Sequence, residues 1–143
     1  MHVEEKKTNE ENGGITVNEK FIEKLIDVLI IEGIEEYKIS HETLQIGPKT
    51  INYWKDVKQL YSTFNQRQKE IYYEIIRQII IDTISYVFGI LDGTTSMNDM
   101  ECNIDVEING CSTEHELQDI FLEKIEERLE EMGMDTLYQS SQE

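Results

Sequence analysis

The chain has 143 residues, 38% of them hydrophobic, and carries 30 acidic against 13 basic side chains for a net charge of −17. A chain of that length makes one domain and can bury a core without metal or disulfide support. The acidic excess repels nucleic-acid phosphate and anionic lipid, which disfavours direct binding to either and leaves a basic protein as the partner that electrostatics favours.

Residues 1–14 are polar, end in Gly13-Gly14 and read as a mobile arm. They lack the apolar stretch of a secretory signal. The first helix is expected to open with Asn18 as N-cap and to close at Gly33. Phe21, Ile22, Leu25, Ile26 and Leu29 recur at helical spacing within it, and Glu23, Lys24 and Asp27 fall opposite. The stretch "YKISHETLQIGP" admits two short strands, Tyr37–Ile39 and Thr43–Ile46, or a short helix capped by Ser40 and stopped by Gly47 and Pro48. The order of cap, glycine and proline favours the helix, with Tyr37–Ile39 still open as a strand.

A further helix is expected from about Thr50, with Ile51, Trp54, Val57, Leu60, Tyr61 and Phe64 as its apolar stripe. Asn65 should end it and cap the next, which spans 66–91. There Ile71, Tyr72, Ile75, Ile76, Ile79 and Ile80 form one broad face, and beyond Ile81 apolar positions surround the helix. That pattern predicts the buried centre of a bundle, with Ile76 and Ile80 inside. Glu74, Arg77, Gln78 and Asp82 interrupt the segment, so it does not read as a membrane span.

Asp92-Gly93 ends that helix, and "TTSMNDM" is a loop. "ECNIDVEI", residues 101–108, alternates as a strand does, with Cys102, Ile104, Val106 and Ile108 facing the helices. Asn109-Gly110 is a turn pair, yet no second strand is recognisable after it. The strand's partner is therefore expected from Tyr37–Ile39, a second copy of the chain (a homodimer) or a bound protein. Thr113 and Glu116 fit a capping box for the last helix, which runs to about Met132 before Gly133. Residues 135–143 form a polar tail. The expected fold is α+β, mainly helical: about four main helices round a long buried helix, one or two short strands, and one globular domain over 15–134.

No catalytic motif is present, so no enzymatic activity is expected. His115-Glu116 begins a zinc-protease sequence, but Asp119 stands where the second histidine belongs. His2 and His41 are the remaining histidines, and Cys102 and Cys111 lack metal-site spacing. The stretch from Asp92 resembles a calcium loop, but Met97 replaces the turn glycine and Asn103 the bidentate glutamate. No cofactor or metal is expected. Two cysteines are too few for a disulfide framework, which points to reduced thiols and a cytoplasmic location.

The charge is most ordered in "HELQDIFLEKIEERLEE", residues 115–131. On a helical wheel, Leu117, Ile120, Phe121, Leu122, Ile125, Leu129 and Met132 gather on one side. Glu116, Asp119, Glu123, Glu126, Glu127 and Glu130 gather on the other, with Lys124 and Arg128 at the boundary. These six carboxylates are the first candidates for partner contact; Asp92, Asp99, Asp105 and Glu107, from the adjoining loop and strand, are the second. Glu123 with Glu127 and Glu126 with Glu130 are like-charge pairs one turn apart, each costing a few tenths of a kcal/mol. Reversing Glu123 and Glu127 is therefore expected to leave stability equal or slightly higher. The bland alternative is a face that only solvates the protein.

The order "YVFGILDG", polar loop, "ECNIDVEI" and "LQDIFLEKIEERLEE" over residues 70–132, with the size and charge, resembles small acidic immunity proteins (antitoxins) of bacterial polymorphic-toxin systems. The resemblance rests on architecture and charge. It implies a binding protein that neutralises a basic toxin domain such as a nuclease. The alternatives are a phage-type inhibitor that mimics DNA charge and a small enzyme with an unrecognised acidic pocket.

Overall fold

The computed structural model describes residues 10–11 and 14–134. The rest of the expected arm and the tail from 135 onward lie outside the described residues, as does His2. The fold is α+β and mainly helical, as the sequence predicts. In chain order it has β1 (Glu10–Glu11), β2 (Ile15–Thr16), α1 (Val17–Ile26), a π-helical turn (Asp27–Glu32), α2 (Gly33–Thr43), α3 (Asn52–Ser62), α4 (Gln66–Asp92), β3 (Glu107–Ile108), β4 (Cys111–Ser112) and α5 (Leu117–Glu131). The helical residues fall into four runs, because α1, the π turn and α2 follow one another without a break. Two two-stranded antiparallel ladders, β1–β2 and β3–β4, complete the fold. No helix among the described residues is long and apolar enough to cross a membrane. The described residues form two compact units, one of those up to Ile26 with those from Thr83, the other Asp27–Asp82.

In the first unit, α1 packs on α5. Val17, Ile22 and Ile26 of α1 are buried with Leu117, Phe121, Ile125 and Leu129 of α5. The four α5 residues recur every four positions, which keeps them on one face. Phe88 meets Phe121 edge-on, with ring centroids 5.8 Å apart. The N-cap of α1 differs from expectation. Thr16 Oγ1 accepts the Glu19 backbone N–H at 3.1 Å, so the cap lies two residues earlier than predicted. Asn18 is instead 2% exposed, and its Nδ2 donates to the Ser112 carbonyl at 3.4 Å, tying α1 to β4.

The expected long strand is a short hairpin. Glu107 pairs with Ser112 and Ile108 with Cys111. Asn109 and Gly110 take φ of 54° and 79°, the two left-handed positions of a type I′ turn. The pairing partner is therefore the segment just after the turn. Tyr37–Ile39, offered as a partner, lies inside α2. Residues 101–106 form no ladder, yet Cys102, Ile104, Val106 and Ile108 are all less exposed than their neighbours, so the predicted alternation of faces holds.

In the second unit, Ile34, Tyr61 and Tyr73 form a buried cluster, with Phe64, Tyr72, Ile76 and Ile80 packed against it. Tyr73 donates to the Tyr61 hydroxyl at 2.9 Å, and Tyr61 donates to Glu42 at 2.6 Å. His41 sits among Tyr37, Tyr61, Tyr72 and Tyr73, its Nε2 3.0 Å from the Tyr72 hydroxyl. Three expectations are corrected here. Gly33 does not stop the first helix; the chain widens through the π turn, which holds the β-branched Val28, Ile30 and Ile31, and continues as α2. Ser40 is interior to α2 rather than a cap. The 66–91 helix is not a wholly buried centre: Ile71, Ile75, Ile79, Tyr86 and Val87 are exposed, and Ile76 and Ile80 are half-buried. Its start is as predicted, with Asn65 Oδ1 accepting the Gln68 N–H at 2.8 Å and Gln68 Oε1 accepting the Asn65 N–H at 2.9 Å.

Candidate protein-docking surface

Two helix ends position α5. The C-terminus of α4 closes in a Schellman turn: Gly93 takes φ 80°, its N–H bonds the Ile90 carbonyl, and the Thr94 N–H bonds Gly89. A Cβ on Gly89 would collide with the Thr95 and Gln118 side chains, so glycine there lets the chain fold back on α4. This turn aims Asp92 at the start of α5. Its Oδ1 accepts the Leu117 N–H at 3.2 Å and its Oδ2 the Gln118 N–H at 2.7 Å. The predicted Thr113 capping box does not form. Glu114 and His115 both take positive φ, 53° and 58°, and the Thr113 carbonyl rather than its side chain accepts the Glu116 N–H, at 3.1 Å. The helix dipole and the two free N–H groups take a carboxylate from α4 instead.

Asp92 is accordingly removed from the contact set. It is 7% exposed, and both carboxylate oxygens are committed to the cap. The other predicted residues lie on the surface: Glu116, Asp119, Glu123, Glu126, Glu127 and Glu130 along α5, Asp105 and Glu107 before the hairpin turn, and Asp99 in the loop, where it takes φ 57°. Leu122 and Met132, placed with the apolar side on the wheel, are exposed as well. At the far end, Gly133 at φ 68° closes a second Schellman turn through the Glu130 and Leu129 carbonyls, as its position predicts.

Lys124 is a cation built into the acidic face. Lys124 Nζ lies 3.5 Å from Glu23 Oε1 and 3.7 Å from Glu127 Oε2. Partial burial disfavours its charge, but Glu127, Glu23 and Glu19 outweigh that and hold the ammonium above its ordinary pKa. Beside it, Glu23, Ile26, Lys124, Glu127, Arg128 and Glu131 line an open cleft of about 330 Å³ between α1 and α5. His115 Nε2 stands 3.7 Å from Asp105, and among the described residues no three His, Cys, Asp or Glu side chains converge as a metal site would require.

The charge is unevenly distributed along the chain. Residues 83–143 hold 15 acidic and 2 basic side chains, whereas 27–82 hold 9 and 7. The acid is thus concentrated in the segment that carries α5. Sequence reasoning found this row and missed two features. The Asp92 cap had a signal, an aspartate just before the helix-ending glycine, which was read as a helix stop. The tyrosine cluster round His41 had none, because its members are scattered over three helices. The chain matches no family model, no curated protein and no solved structure.

Proposed function

We propose that this is a non-enzymatic binding protein that neutralises a basic protein partner, in the manner of a toxin immunity protein. The observation that carries the reading is the row of exposed carboxylates on α5, within a segment of 15 acidic and 2 basic side chains. Such a row presents acceptors for lysine and arginine at a spacing of one helical turn. Its field raises the encounter rate with a cationic surface, and added salt removes that gain. The apolar side of α5 is spent on α1, so the acidic side is held by a packed helix pair rather than by a loop. Asp99, Asp105 and Glu107 extend the same sign of charge. The proposal assigns the protein to the cytoplasm, where Cys102 and Cys111 remain thiols.

The test is association kinetics against the partner captured from the source cell. Glu123→Lys combined with Glu130→Lys should slow association about tenfold or more at low salt, with a smaller effect on dissociation. Rates unchanged across a salt series mean that the face only solvates the protein.

A further inference from the structure

We propose that the outward stripe of α4, Ile71, Ile75 and Ile79, is an interface between two copies of this chain, crossed antiparallel about a two-fold axis at Ile75. The three side chains are 40%, 54% and 58% exposed. Four-residue spacing turns each by about 40° from the last, so they cover one arc of the helix roughly 12 Å long. The opposite side is already filled: Tyr73 and Ile81 are buried, and Ile76 and Ile80 pack on the tyrosine cluster. A water-facing helix stripe is ordinarily charged, and three isoleucines in a row mark a contact surface.

Charge selects the occupant. Residues 27–82 carry 9 acidic and 7 basic side chains, so the unit that bears this stripe has little net charge to draw a basic partner. It is matched to itself. The two-fold sets Ile71 against the second copy's Ile79 and Ile75 against its own equivalent. At the ends of the stripe it brings Arg67 alongside the second copy's Asp82, twice by symmetry. Arg67 now pairs with Glu70 at 3.2 Å, and Asp82 accepts the Gln78 amide at 2.7 Å. Both contacts are exposed and exchange at little cost. Three isoleucines a side fall short of the ~800 Å² per partner of a standard interface, so the dimer belongs to the weak, concentration-dependent class.

Sedimentation of the full chain from micromolar to millimolar concentration tests this. The mass should rise from 16.8 kDa toward twice that value. Added salt should favour the dimer, because it screens −17 charges on each copy. Ile75→Glu should hold the chain at the monomer mass with an unchanged melting temperature, which separates lost contact from lost fold. Arg67→Glu and Asp82→Arg should each weaken the dimer about tenfold, and the double swap should restore it. A monomer mass at every concentration overturns the proposal. So does a dimer that survives Ile75→Glu, which puts the contact elsewhere, or a double swap that fails to restore it.

Discussion

The Asp92 cap makes the sharpest energetic demand on the fold. Replacing it by alanine strands the Leu117 and Gln118 N–H groups at a helix start where Asp92 is 7% exposed. An ordinary N-cap is worth about 1 kcal/mol, with a range near 0.5–2. Here the acceptor is charged and serves two donors, and unsatisfied buried donors cost about 1–3 kcal/mol. Asp92→Ala should therefore cost about 2–3 kcal/mol, a fall in melting temperature of roughly 8–12 °C for a chain of this length. Asp92→Asn keeps one acceptor in place and should cost about 1 kcal/mol. Urea unfolding gives the totals, and hydrogen exchange at the Leu117 and Gln118 amides gives the local effect. A loss under about 0.5 kcal/mol for the alanine variant, or unchanged exchange at both amides, would refute the trans-cap and leave α5 to start on its own.

Phe121→Ala should cost about 3–5 kcal/mol, because Phe121 is fully buried, whereas Ile75→Ala on the exposed side of α4 should stay within about 0.5 kcal/mol in dilute protein; urea midpoints compare them. Tyr61→Phe should raise the Glu42 pKa toward its ordinary 4.5, since the Tyr61 hydrogen bond, and after it Lys69, holds it low. That depressed pKa gives a stabilisation that is present above 4.5 and lost as pH falls through the folded value, so the variant should show a flatter acid limb; carboxyl NMR titration reads both effects.

Local chemistry made much of the fold legible. The periodic stripes located the helices, and the Asn65 cap and the Gly133 stop were correct because each lies within one stretch of four to six residues. The errors have other causes. Thr113 and Asp92 were misassigned because a side chain can satisfy a helix end from far along the chain, 25 residues away in the case of Asp92 and Leu117, whereas Asn18 lost the cap to Thr16, two residues before it. Gly33 was misread because glycine permits a left-handed stop without requiring one, and here the chain widens instead. The two-residue ladder after Asn109-Gly110 was too short to register as a strand pattern. On α4, hydrophobicity was equated with burial, and the exposed Ile71, Ile75 and Ile79 show the limit of that rule. The acidic row was legible because solvent exposure of charge is what burial energetics enforce.

Lys124 changes what charge reversal on α5 should do to stability. From the sequence, Glu123 and Glu127 are equivalent members of a like-charge pair. In the structure Glu127, like Glu23, lies within 4 Å of Lys124. Glu127→Lys would replace that attraction by repulsion and should cost about 0.5–1 kcal/mol, the scale of a partly exposed ion pair. Glu123→Lys removes repulsion and should gain a few tenths of a kcal/mol. The raised Lys124 pKa fixes the pH dependence: the contribution is present below the ordinary 10.5 and lost only as pH rises through the folded value. The difference between the two variants should thus be constant from pH 6 to 8, and high salt should shrink it. Urea midpoints at two salt concentrations measure it. Equal effects of the two substitutions would mean that Lys124 does not distinguish Glu127 from Glu123, and that the uniform acidic stripe drawn from the sequence describes this face correctly.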